Sequence, residues 1–120
     1  MTVLSAKALH FDELVGRLSA NPLPADVNSC SMRIVRIAPG PRTPHLHPHS
    51  VEVMYVVEGS GTTWEHDVAS QVGPGDVVVV PAGAPHATVS AGPGELVLVC
   101  FFPHADLATN TVDLGGPVRE

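Results

Sequence analysis

Apolar or alternating runs of four to seven residues recur through the middle of this chain, at Met32 to Ala38, Val51 to Val57, Thr62 to Val68, Val77 to Val80, Ala84 to Ser90 and Leu96 to Phe102. Gly, Pro or Ser bounds each of them. Runs this short are too brief for an ordinary helix but match the usual length of a strand, and their regular punctuation predicts an all-β sandwich or barrel. The twelve prolines and eleven glycines fall between the runs rather than in a block, so they read as turn residues and not as low-complexity sequence. Only residues 10–18, HFDELVGRL, look helical, with Phe11, Leu14, Val15 and Leu18 on one side, which predicts a short N-terminal helix. After Phe102 the periodicity is lost, and a wrap-around or partly mobile arm is expected there.

Length and charge narrow the function classes. A chain of 120 residues suits one domain with a continuous core, and 44% hydrophobic against 15% charged residues indicates a compact fold. The formal net charge of -6, with only six Lys and Arg, argues against nucleic acid or an anionic membrane surface as partner and favours a small molecule. No stretch approaches the roughly 20 apolar residues of a membrane span, and the start, MTVLSAKALHFDEL, turns polar too early for a signal-peptide core, so a cytoplasmic protein is expected. Cys30 and Cys100 are too few for a disulfide framework, and Cys100 within LVLVCFF reads as a small buried hydrophobe.

The chemistry concentrates in PHLHPHSVEV, residues 44–53, and in GDVVVVPAGAPH, residues 75–86. Side chains alternate along a strand, so His45 and His47 share a face and form a chelating pair, with Leu46 opposed. Pro48 bends the chain, Glu52 can turn back toward the pair, and His86 is brought in from the second segment by the fold. Three imidazoles and a carboxylate are a donor set for a divalent metal; a solvated, His-rich loop is the competing interpretation.

These two segments resemble the conserved motifs of the cupin family. The first runs from Gly40 through four residues to His45-x-His47, four more to Glu52 and six more to Gly59; the family pattern has five residues after the first glycine. The second runs from Gly75 through five residues to Pro81-x-Gly83 and on to His86, with Ser90 where the family usually has Asn. The resemblance implies a cupin-type double-stranded β-helix, a jelly-roll barrel over about residues 32–102, with arms at 1–31 and 103–120. It also implies that His45, His47, Glu52 and His86 hold one divalent transition metal ion: Fe, Mn, Ni, Cu, Co or Zn. An octahedral ion on four protein ligands keeps two positions for water or substrate, whereas a four-coordinate ion keeps none.

Around that site the parity of TTWEHDV places Glu65 and Asp67 on the solvated face, so Trp64 and His66 are expected to point inward. Trp64 then packs the core or walls a substrate cavity, and His66 is either a general acid/base or a hydrogen-bonded inner histidine. Of Arg33 and Arg36, one is expected to face into the barrel and hold a substrate carboxylate, with Arg36 assigned to the cavity. His49, between Pro48 and Ser50, reads as a turn residue or a reserve ligand, and Tyr55 is expected on the outer face. Because VVVV at 77–80 and LVLVCFF at 96–102 are apolar on both faces, a homodimer is the simplest cover for the outer one. The leading functional expectation is a metal-dependent enzyme on a small organic molecule, such as a dioxygenase. A redox-neutral cyclase, isomerase or lyase, and a noncatalytic sugar or metabolite binding module, are the alternatives.

Overall fold

The computed structural model describes residues 1–120 and contains eleven strands: β1 (Asp12–Leu14), β2 (Arg17–Ala20), β3 (Ser31–Ile37), β4 (His45–Leu46), β5 (Glu52–Glu58), β6 (Gly61–Glu65), β7 (Val68–Val72), β8 (Val77–Val80), β9 (His86–Ser90), β10 (Leu96–Phe102) and β11 (Val112–Asp113). They form a six-stranded sheet ordered β1-β2-β3-β10-β5-β8 and a five-stranded sheet ordered β11-β4-β9-β6-β7, and every strand pair is antiparallel. This is the jelly-roll barrel that the residue pattern and the motif resemblance imply.

Alternation builds the interior. Along β10, Leu96, Leu98, Cys100 and Phe102 are buried while Val97, Val99 and Phe101 face outward. Along β5, Met54 and Val56 are buried with Glu52, and Tyr55 is exposed as expected. The inward residues join Val35, Ile37 and Val80 in one core cluster, in which each fully buried Val, Leu or Ile contributes roughly 1.5–3 kcal/mol. Where β6 crosses this layer it needs Gly61: a Cβ there would collide with the Val89 carbonyl and meet Leu96 Cδ2 at 3.2 Å.

Two expectations are corrected. Residues 10–18 are not a helix; the only N-terminal helical element is a 3-10 turn at Ala6–Ala8, and β1 and β2 form a hairpin instead. The two-residue turn Val15-Gly16 uses φ +71° at Gly16, and β2 then pairs with β3 through Leu18↔Arg36, Ser19↔Val35 and Ala20↔Ile34. A nine-residue amphipathic stretch containing Gly has too little intrinsic helicity to compete with a sheet edge that offers hydrogen bonds. Likewise, the run at 62–68 is not one strand. It folds into β6 and β7, which pair Glu65↔Val68 across His66-Asp67, with His66 at φ +51°. This turn lacks the Asn-Gly or Asp-Gly signature that marks a tight hairpin in sequence.

Residues 103–120 wrap the barrel. A 3-10 turn at Ala108–Asn110 leads into β11, which pairs Val112↔Leu46 and Asp113↔His45 on β4. Arg119 then bridges back to Arg42 and stacks on Trp64, 4.5 Å from the ring centroid.

Candidate metal centre

Three short stretches of backbone place the four expected ligands. His45 lies on β4 directly opposite His86 on β9, and Glu52 opens β5 on the other sheet. His47 follows β4, and its carbonyl accepts from Gly83 N–H at 2.8 Å, which ties the first motif to the second. All four side chains are buried, and their ligand atoms lie within 4.8 Å of one another. Ring centroids are 4.5 Å apart for His45 and His86, 5.0 Å for His45 and His47, and 5.2 Å for His47 and His86.

Hydrogen bonds at the rear of two rings determine which nitrogen faces the centre. His47 Nδ1 lies 2.8 Å from the Asn110 carbonyl and His86 Nδ1 lies 2.8 Å from the Ala84 carbonyl. A carbonyl can only accept, so each Nδ1 carries a proton and donates, which in the neutral ring leaves Nε2 with a free lone pair. His86 Nε2 then stands 2.8 Å from Glu52 Oε1, and His47 Nε2 3.4 Å from the same oxygen. Converging acceptors need a shared cation, and His47 Nε2 has no hydrogen-bond partner at all. A divalent metal satisfies this donor set; backbone carbonyls orient two of its imidazoles, as metal-bound histidines commonly require.

Electrostatics favour the deprotonated ligands. Burial, reinforced by His86 and Arg17, pushes His45 down to about 2, so its ring is neutral. For Glu52, burial alone raises the carboxyl, but the adjoining His47 and His86 rings outweigh it and hold the group well below the usual carboxylate range. Cys100 sits beside Glu52 on the cavity wall, where burial and that carboxylate raise its thiol and keep it protonated. Cys30 is also a free thiol.

The centre opens into a cavity of about 730 Å³ between the N-terminal hairpin and the C-terminal arm. Arg17, Ser19, Asn21 and Arg33 line it from one side, Leu107 and Thr111 from the other. A smaller pocket of about 30 Å³ behind His45 and Glu52 is lined by Arg42, whose Nη1 donates to the Thr88 carbonyl at 2.7 Å while its Nε has no partner. Burial lowers Arg42 to about 10.

Other assigned residues lie elsewhere. Arg36 points to the outer side of β3, where Nε and Nη2 contact Glu95 Oε1 at 3.1 and 2.6 Å, and Arg33, of opposite parity, takes the cavity position instead. Trp64 and His66 do not point inward. Thr63 does, sharing a 3.0 Å hydroxyl contact with Thr88, while Trp64 lies under Arg119 and His66 is exposed in the turn. The parity argument fails because Glu65 and Asp67 sit at the end of the barrel, where water reaches both faces of the hairpin. His49 is exposed and stacked on His104, with centroids 5.5 Å apart, as a turn residue would be. Sequence reasoning missed Arg17, hidden in the segment read as a helix, and Asn110, in a tail without periodicity. An isolated Asn in such a tail gives no sequence signal.

Fold and donor set together define a jelly-roll protein with a buried cluster of three histidines and one glutamate that could hold a metal ion. The chain belongs to the cupin family: residues 33–102 match the Cupin_2 model, described as a cupin domain. No curated protein matches it by sequence. Among solved structures it is similar to the formate complex of Lactobacillus farciminis oxalate decarboxylase, at 25% identity and a TM-score of 0.73 over 90% of this chain. The chain spans 34% of that enzyme's length. It is also similar in fold to KdgF from Halomonas sp. (22% identity, TM-score 0.75, 90% of this chain and 98% of that one). The Streptomyces nucleoside dehydratase Pac13 shares the fold as well (14%, 0.77, 95% and 91%).

Proposed function

We propose that this protein is a divalent-metal-dependent enzyme acting on a small organic molecule bound in the cavity in front of the metal centre. The observation that carries this reading is the convergence of His47 Nε2, which has no hydrogen-bond partner, with His86 Nε2 and Glu52 Oε1, where His45, His47 and Glu52 line a cavity large enough for a metabolite. Oxalate decarboxylase and a nucleoside dehydratase among its structural relatives support small-molecule chemistry on this fold. A bound transition metal supplies Lewis acidity and, if redox-active, a site for dioxygen. The chain's own residues do the rest. His45, neutral and buried, offers a lone pair without competition from a proton. The Asn110 and Ala84 carbonyls hold two rings in the ligating tautomer. Phe102, edge-on to His47 at 4.7 Å between centroids, and the flanking Leu107 exclude water from one wall.

Metal analysis of the protein purified without added metal and without a histidine tag tests this reading. One metal per chain, lost in His86→Ala and Glu52→Gln, is the expected result; parent protein that takes up no transition metal refutes it. Oxygen uptake in step with substrate loss then assigns a dioxygenase, and turnover without oxygen uptake assigns a redox-neutral cyclase, isomerase or lyase. A ligand that raises the melting temperature but is recovered unchanged assigns a binding module.

The reading also includes a homodimer. On the outer face of the six-stranded sheet, register brings Val79, Val53, Phe101 and Met32 into one row and Val77, Tyr55, Val99 and Ile34 into the next. Val77 and Val79 are about three-fifths exposed, and so continuous an apolar face supports a second copy as its cover.

A further inference from the structure

The chain's cations are unevenly used. Of its six Lys and Arg, Arg36 and Arg119 form ion pairs with Glu95 and Asp67 on the outside of the barrel. Arg17, Arg33 and Arg42, which line the main cavity or the small pocket behind it, have no carboxylate within 4.0 Å. Their only hydrogen bonds are single ones to backbone carbonyls: Arg17 Nη1 to Val15 at 2.9 Å, Arg33 Nη1 to Met32 at 2.8 Å and Arg42 Nη1 to Thr88 at 2.7 Å. Each guanidinium has five N–H donors, so most of this donor capacity is unclaimed by protein. Arg42 is only 6% exposed and its buried Nε has no acceptor.

Burying a cation without a paired anion is costly, and although Asp12 acts on Arg33, and Glu52 and Asp113 on Arg42, from farther away, none of the chain's carboxylates forms an ion pair with these three. The acidic groups of the cavity, Asp12, Glu13 and Asp113, are exposed at its mouth, where hydration and salt screen them. Arg17 and Arg33 are partly buried, so their fields are screened less. At the floor, a divalent ion held by the four ligands would carry one charge more than Glu52 offsets. The interior is therefore cationic behind an acidic rim.

We propose that the cavity binds a small organic carboxylate, which Arg17 and Arg33 hold through their guanidinium N–H groups while Arg42 maintains the positive field behind the metal ligands. The proposal rests on the cavity being the substrate site, and it names the substrate class. A planar guanidinium matches the two oxygens of a carboxylate in a way a lysine ammonium does not. The volume of about 730 Å³ accommodates a metabolite-sized acid.

Titration calorimetry on metal-free and zinc-loaded protein, with malonate and succinate against malonamide and succinamide, tests this. Expected are at least ten-fold tighter binding of the acids in both forms and about ten-fold loss in each of Arg17→Met and Arg33→Met with zinc stoichiometry intact. The outward-facing Arg36→Met is expected to bind like the parent. Arg17→Lys and Arg33→Lys, which keep charge and fold but lose the fork, should fall between parent and Met variants. Equal binding of acids and amides overturns the proposal, and so does tighter binding of inorganic phosphate. A preference confined to the zinc-loaded form and untouched by either arginine substitution also overturns it. A chain that takes up no zinc yet still prefers malonate through Arg17 and Arg33 supports the carboxylate site and refutes only the metal-enzyme reading.

Discussion

Asn110 offers the most direct test of how the C-terminal arm builds the metal centre. Its side chain is fully buried: Oδ1 accepts from His49 N–H at 2.7 Å, Nδ2 donates to Ser50 Oγ at 2.8 Å, and its own carbonyl accepts from His47 Nδ1 at 2.8 Å. Asn110→Ala deletes two hydrogen bonds and strands the buried Ser50 hydroxyl and the His49 amide, a loss of about 3 kcal/mol when each bond contributes about 1 kcal/mol and the orphaned partners add the remainder. For 120 residues, an unfolding entropy of about 0.25 kcal/mol/K converts this to a fall of about 12 °C in melting temperature. Ser50→Ala removes one partner from the other side, and the double variant should fall short of the sum by about 1 kcal/mol. Because the arm that orients His47 loosens, zinc affinity measured by chelator competition should drop between about 10- and 100-fold. A melting temperature within about 3 °C of the parent, together with unchanged zinc affinity, would show that the arm does not hold the ligand, and the reasoning would fail.

Two further outcomes are expected. In metal-free protein, His45 stays neutral when folded but takes a proton below 6.5 when unfolded, so stability falls with acidification at up to about 1.4 kcal/mol per pH unit between about 6.5 and 2. Glu52, held below 4.5 when folded, adds to the loss below that value. Urea midpoints measured from pH 8 to 5 report the slope, which should flatten in His45→Asn; an undiminished slope assigns it to another group. On the outer sheet face, Val79→Asp should halve the mass seen by light scattering, from twice 12.5 kDa to 12.5 kDa, without altering zinc uptake; a parent already at 12.5 kDa removes the homodimer.

The sequence made the ligand set legible because a strand fixes side-chain direction: His45 and His47 could share a face only if their segment was extended, and both are buried on one side of β4 and its continuation. The long runs of β3, β5, β8, β9 and β10 were legible for the same reason. What escaped was set by partners distant in sequence. Nothing within HFDELVGRL announces that β3 waits to pair with its last residue and the two that follow. At Thr62 to Val68, charge suggested the wrong face, because a two-residue turn at His66 ended the strand before its carboxylates could define a solvated side. Arg33 and Arg36 have opposite parity on β3, and only the register with β10 tells which enters the barrel.

Glu52 belongs to one sheet, and His45 and His86 belong to the other. An ion held by all of them acts as a rivet through the wall of the barrel, so seating it and clamping the two halves together are a single thermodynamic event. Amide exchange on β5 and β9 should therefore slow in concert on loading, even though these strands share no backbone pairing, and the empty protein should breathe along the seam between them.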